Sequence, residues 1–250
     1  MFEQGPAVMG HRGMGKGTVG GHVENTMASY LAAAELTDWI ELDVQRCADD
    51  ELMVYHNPAT PDGRFLLDQT SAELAARGVL RLADVLAELP ERVSLDVDVK
   101  TPLEEAVTPR DRGTAALLAP VLAKELHRRR LFATSFDPAT LLELREAVPD
   151  LPLCLVTWLA YPIGSAIAAA ARLGVQIVGL HTLSFGPSHL QPDPSIHYDH
   201  GYAVDVAHRA GLEVLTWCPS PEEAVPLVRA GVDCLCVNDV PGVIAALDTV

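Results

Sequence analysis

Two segments of this chain alternate acids with aliphatic residues. One is Ile40-Glu41-Leu42-Asp43-Val44-Gln45 and the other is Val93-Ser94-Leu95-Asp96-Val97-Asp98-Val99-Lys100. Successive side chains of a strand point to opposite faces. Glu41, Asp43 and Gln45 therefore share one face, and Ser94, Asp96, Asp98 and Lys100 share a face of the second strand. Carboxylates buried together are costly unless a cation or a proton offsets each charge. A hard divalent cation with oxygen ligands, Mg²⁺ or Ca²⁺, meets that need better than zinc does. A single alternating strand reads simply as one with a wet face. Two in succession, with acids near their C-terminal ends, favour a metal.

Two histidines stand near these strands. His11 closes the run Met9-Gly10-His11-Arg12-Gly13, and His56 closes Leu52-Met53-Val54-Tyr55-His56-Asn57. Imidazoles titrate near neutrality and can serve as an acid and base pair. Arg12 puts fixed positive charge beside His11, and the histidines stand upstream of the second acid strand.

Positioning these groups is the task of a regular alternation. Strand-like runs recur at 7–11, 39–45, 93–100, 131–136, 152–158, 176–182, 213–218 and 234–238, with helical spacing between most of them. Met27, Tyr30, Leu31 and Ala34 mark one helical face, with Asn25 or Thr26 as its cap. Gly174, Gly211 and Gly231 each stand where a helix should stop before a strand. Eight strands each followed by a helix predict an α/β fold, a single (β/α)8 TIM barrel over residues 1–250. A short insertion follows strand 2, within 46–80, and carries an extra strand from Glu51 to His56. In a barrel the aliphatic faces pack under the outer helices, so the acids point inward.

The 250 residues carry 18 Lys and Arg against 34 Asp and Glu, a formal charge of −16. A field of that sign repels nucleic acid and anionic membranes, so an anionic small-molecule substrate must be held by local cations. No run is apolar enough to span a bilayer, and the N-terminus lacks a leader pattern, which gives a cytoplasmic expectation. Five cysteines, an odd number, read as reduced thiols, with Cys234 and Cys236 filling the core rather than holding a soft metal. The basic stretch Lys124 to Arg130 reads as a solvated helix end, and His181 as a structural residue at the mouth.

In the order and spacing of these blocks the chain resembles the glycerophosphodiester phosphodiesterase family. The matching residues are His11-Arg12-Gly13, Glu24-Asn25-Thr26, Glu41-x-Asp43, His56 and Asp98-x-Lys100. Weaker echoes are Ser135-Phe136, Trp217, Gly231-Val232-Asp233 and Asn238-Asp239. The resemblance implies a metal-dependent barrel that cleaves glycerophosphodiesters to glycerol 3-phosphate and an alcohol. By the same resemblance, Glu41, Asp43 and Asp98 hold the divalent cation, His11 is the general base and His56 the general acid. Arg12 and Lys100 neutralise the phosphate, Glu24 lies by the metal or the glycerol hydroxyls, and Phe136 and Trp217 pack the glycerol or head group.

Three departures from the family pattern stand out. Asn57 replaces the acid after His56, Asp98 replaces a glutamate, and residues 14–23 are rich in glycine, as in a mobile loop over the mouth that offers Lys16 to substrate. Two other readings compete. One is a phospholipase D-like enzyme acting on lysophospholipids; the other is a barrel that binds phosphate esters without turnover.

Overall fold

The computed structural model describes residues 1–2, 5–187 and 198–249. Eight parallel strands form a closed barrel: β1 (Ala7–Gly10), β2 (Trp39–Arg46), β3 (Ser94–Val99), β4 (Leu131–Ser135), β5 (Leu153–Val156), β6 (Ile177–His181), β7 (Glu213–Trp217) and β8 (Cys234–Val237). Each strand pairs with its sequence neighbours, and β1 closes the ring by pairing with both β8 and β2. The helices that follow the barrel strands are α1 (Met27–Ala34), α2 (Leu82–Glu88), α3 (Thr114–Glu125), α4 (Pro138–Ala147), α5 (Ile163–Leu173), α6 (His200–Arg209), α7 (Pro221–Arg229) and α8 (Val240–Leu247), and a short further helix, Ser71–Ala75, lies in the insertion after β2. The expected (β/α)8 barrel is the fold found.

The alternation in sequence sets the layering. Ile40, Leu42 and Val44 of β2 and Leu95, Val97 and Val99 of β3 are buried in the layer shared with the helices. A second, smaller core fills the barrel. Phe2, Trp39 and Phe132 meet with ring centroids 5.1–5.9 Å apart, and Met9, Cys154, Ile177, Leu215, Cys234 and Cys236 join them. Full burial of such side chains stabilises by about 1.5–3 kcal/mol each, so both layers hold the strands in register. The paired cysteines are thus packing residues, with thiols pushed far up by burial.

Helix ends fall close to their expected stops. Thr26 caps α1 through a bond from the Ser29 amide, and Gly174 ends α5 in the left-handed conformation. The insertion after β2 begins with the expected extra strand, Leu52–Val54, which lies antiparallel to β2 and to Leu80–Arg81. It has a small core of its own, formed by Cys47, Met53, Leu66, Leu74 and Val79. This hairpin is what carries His56 to the barrel mouth.

Within the glycine-rich loop of residues 14–23, Thr18–Val19 and His22–Val23 pair as a short antiparallel hairpin. Glycine is required at Gly15, whose φ is +142° and where an added Cβ would fall 1.9 Å from the carbonyl oxygen of Asn238. One expectation needs correction: the basic stretch after α3 is not all solvated. The side chain of Arg129 is fully buried, paired with Glu125 at 2.9 Å, and donates to the carbonyls of Leu86, Leu89 and Pro90. It satisfies the orphan carbonyls at the end of α2, work that a lysine or a solvated arginine could not do from outside.

Candidate active site

Parallel register brings the acids of the two alternating strands together. Glu41 stands opposite Asp96 and Asp43 opposite Asp98. All four are buried. One oxygen from each of Glu41, Asp43 and Asp98 lies within 4.8 Å of the others, the one cluster of metal-capable side chains among the described residues. Glu41 Oε1 and Asp98 Oδ1 are buried without any hydrogen-bond partner. Orphaned carboxylate oxygens of this kind are what a hard divalent cation would take up, so the residues present fit such an ion.

Two cations partly offset the acids. Lys100 Nζ is 2.8 Å from Asp43 Oδ1 and also bonds Asp98 Oδ2. Arg12 donates its backbone N–H to Glu41 Oε2 at 2.8 Å, and its guanidinium lies 3.4 Å from Asp43 and 3.0 Å from Glu24. Burial would raise Asp43, but Lys100 and Arg12 outweigh it and hold the carboxyl well below its usual range. Burial and the adjacent Asp43 push Glu41 well up, and burial pushes Asp98 up despite Lys100. Asp96 is raised by burial and accepts a hydrogen bond from Thr134. Burial works against the charge on Lys100, yet Asp98, Asp43 and Glu41 hold it firmly protonated.

The two histidines are held alike. His11 Nδ1 is 2.7 Å from Asn238 Oδ1, and His56 Nδ1 is 2.8 Å from Asn57 Oδ1. An amide oxygen only accepts, so each Nδ1 carries its proton and each Nε2 presents a lone pair when the ring is neutral. His11 Nε2 lies 3.9 Å from Glu41. Burial, then Arg12, lowers His11 to about 4, so it is a neutral base at neutral pH. Asn57, the departure from the family acid, still orients its histidine. Asp98, a methylene short, still reaches the cluster.

Sequence reasoning missed the residues that fix these groups. Gln45 Nε2 donates to the carbonyls of Tyr55 and Asn57 and so ties the His56 turn to β2. Asn25 donates from Nδ2 to Asp43 Oδ2 and accepts at Oδ1 from the Tyr30 hydroxyl. Cys218 Sγ is 3.5 Å from His11 Nδ1. Arg12, Asn25 and Cys218 all adopt positive φ, 56°, 53° and 61°. Such left-handed backbone costs about 1–3 kcal/mol for a side-chain-bearing residue, so local strain is concentrated here. The signal in sequence was faint: Gln45 shares the face of Glu41 and Asp43, and Asn238 ends the last strand.

Above the carboxylates lies a cavity of about 550 Å³, lined by His11, Arg12, Lys16, His56, Lys100, Phe136, His181, Trp217 and Asn238 among others. Phe136 and Trp217 meet edge to face at 5.8 Å and form its apolar wall with Trp158. Glu24, expected by the metal or the glycerol hydroxyls, lies outside the carboxylate trio. It is half-buried, and its side chain accepts from Arg12 and from the Gly17 amide. Imidazole, guanidinium and ammonium on one side of the cavity, and aromatic rings on the other, suit an anion with an organic substituent.

Residues 11–241 match the model of the glycerophosphoryl diester phosphodiesterase family. No match is found among curated proteins. Among solved structures, a protein from Silicibacter pomeroyi proposed as a glycerophosphoryl diester phosphodiesterase is 24% identical, with a TM-score of 0.77 over 99% of this chain and 94% of that one. The glycerophosphodiester phosphodiesterase of Thermotoga maritima is 18% identical, with a TM-score of 0.72 over 98% of this chain and 99% of that one. A phosphodiesterase of Oleispira antarctica, solved with sn-glycerol-3-phosphate as product, is 19% identical, with a TM-score of 0.74 over 97% of each chain. At these identities the structures speak for the fold. The family match spans nearly the whole barrel, and the chain belongs to the glycerophosphoryl diester phosphodiesterase family.

Proposed function

We propose that this single barrel domain is a metal-dependent glycerophosphodiester phosphodiesterase, releasing glycerol 3-phosphate and an alcohol. The observation that carries the reading is the trio of buried carboxylates beside two imidazoles whose Nδ1 protons are both pinned by asparagine. Glu41, Asp43 and Asp98 would hold Mg²⁺ or Ca²⁺, which when bound supplies Lewis-acid polarisation of a phosphate oxygen and a template for the reacting groups. Three ionised carboxylates against Arg12 and Lys100 leave one negative charge, so a divalent ion turns the site net positive by one. A phosphodiester monoanion then closes the balance, which explains anion binding by a chain of formal charge −16.

His11 takes the proton of the attacking water on Nε2, because burial keeps it unprotonated at neutral pH. His56 enters with a proton on Nε2 and gives it to the departing alkoxide. Arg12 and Lys100 meet the charge that develops on the phosphate oxygens. Phe136 and Trp217 pack the carbon skeleton, and Glu24 keeps Arg12 in place. The Oleispira structure with glycerol 3-phosphate supports the choice of product. Five free cysteines, three of them inside the barrel, support a reducing compartment, the cytoplasm.

The test is turnover after chelator treatment. Glycerophosphocholine, glycerophosphoethanolamine and glycerophosphoglycerol are assayed with Mg²⁺, Ca²⁺ or neither. Glycerol 3-phosphate release that needs the metal is the expected result. Equal release without metal overturns the carboxylate assignment.

A further inference from the structure

The end of β6 carries an imidazole that the proposed hydrolysis does not use. His181 is only 8% exposed, yet it lines the catalytic cavity. Its Nδ1 accepts the Leu183 amide at 3.1 Å and so caps the short turn Thr182–Phe185. The ring proton therefore sits on Nε2. Burial lowers the pKa of this ring, so at neutral pH it stays uncharged and Nε2 acts as a donor alone. Opposite it in register on β7 stands Trp217, edge to face with ring centroids 4.3 Å apart. Trp217 Nε1 is buried without a hydrogen-bond partner, and an indole nitrogen only donates. These strands lie across the ring from β2, which bears Glu41 and Asp43, so the wall faces the organic part of a substrate and not the metal.

Resting on the phosphodiesterase reading, we infer that this wall selects the leaving alcohol: the preferred substrate is a glycerophosphodiester of an uncharged polyol, such as inositol, whose hydroxyl oxygen accepts from His181 Nε2. The charge lining the cavity points the same way. Arg12, Lys16 and Lys100 line it, and none of the described residues that do so is an aspartate or glutamate. A cationic head group therefore meets no counter-charge on this wall. Choline and ethanolamine also have no oxygen left once esterified, so they leave the buried donors without an acceptor, at a cost in binding. Cation–π binding of a quaternary ammonium is the rival use of an aromatic wall. Here Trp158 already stacks on Phe136 at 4.3 Å, and Lys100 Nζ lies 6.0 Å from the same ring. A second cation at that ring would be repelled by the ammonium of Lys100.

The experiment compares glycerophosphoinositol with glycerophosphocholine, both with added Mg²⁺ or Ca²⁺, for wild type, His181→Phe and His181→Asp. His181→Phe keeps a ring against Trp217 and removes both nitrogens. His181→Asp keeps an acceptor for the Leu183 amide, so the turn stays capped, and puts a negative charge where the donor was. In wild type, kcat/KM is expected to be about tenfold or more higher for the inositol diester. The ratio of the two should fall to about one in His181→Phe and below that in His181→Asp. Equal kcat/KM in wild type, or a preference for the choline diester, overturns the inference. So does a wild-type ratio in either variant that circular dichroism shows to be folded, with both rates lowered together. His181 would then serve only the turn, or the glycerol that both substrates share. Failure to cleave either diester with either metal removes the phosphodiesterase reading itself, and this inference with it.

Discussion

Asp43 and Asp98 face each other across two neighbouring parallel strands, and Lys100 reaches both. Like charges directly opposed in a sheet repel, and burial deepens the cost. The ammonium offsets that repulsion when no metal is bound, and in the proposed mechanism it also meets the substrate phosphate. Lys100→Met is therefore expected to destabilise the metal-free protein by about 3–5 kcal/mol, the usual consequence of leaving buried charge unpaired. Denaturant unfolding with and without Mg²⁺ checks this. Added metal should recover much of the loss, and a variant as stable as wild type without metal would remove Lys100 from the charge balance.

Proton release is expected on metal binding. Glu41 and Asp98 have folded pKa values raised above their ordinary 4.5 and 3.8. Stability from those two groups is therefore present below about pH 4 and is lost as pH rises through their raised values. Asp43 has the opposite sign: its contribution is present above 3.8 and is lost as acid protonates it. A bound cation would ionise Glu41 and Asp98, so apparent affinity should rise with pH above the ordinary carboxylate range. Calorimetry in buffers of different ionisation enthalpy measures the protons released. No proton release on metal binding above the ordinary carboxylate range would contradict the raised values.

The acid limb of kcat/KM should follow His11, near pH 4. Asn238→Asp places a carboxylate on the Nδ1 proton and favours imidazolium, so the limb should move up by about one unit or more. Asn238→Ala frees the ring and should lower kcat about 10–100-fold with little change in folding. A limb that stays put in Asn238→Asp would show that another group sets it.

Gln45 gives a separate prediction about the His56 turn. Gln45→Leu removes both donors that anchor the carbonyls of Tyr55 and Asn57. The loss should fall on kcat, by about 10-fold or more, while metal affinity measured by titration stays near wild type. Equal weakening of metal binding would mean that Gln45 acts on the carboxylates instead.

Far from the chemistry, Arg129→Ala leaves Glu125 buried beside only Arg128 and exposes the end of α2. A cost of about 3–5 kcal/mol is expected in denaturant unfolding, with specific activity retained while the protein is folded.

Legibility in the sequence followed the range of the interaction. Period-two alternation revealed which acids share a face, because side-chain direction is a local property of a strand. Packing two such strands side by side then followed from the barrel, while the choice of Glu41, Asp43 and Asp98 among the inward acids came from the family resemblance. Asn238 was beyond reach as a partner of His11, since 227 residues separate them. Arg129 resembled its basic neighbours until the carbonyls of α2 were in place. Glu24 and Arg12 illustrate the same limit: both stood in family-like blocks, yet only the folded loop shows that they pair with each other, at 3.0 Å.

The acid and base roles can be separated by the leaving group. A diester with a nitrophenolate leaving group departs without a proton, whereas choline does not. His56→Ala should therefore lose glycerophosphocholine hydrolysis by about 10²–10⁴-fold while largely keeping the nitrophenyl diester, and His11→Ala should lose both. Equal losses on both substrates in His56→Ala, or full activity in either variant, would contradict the paired-histidine mechanism.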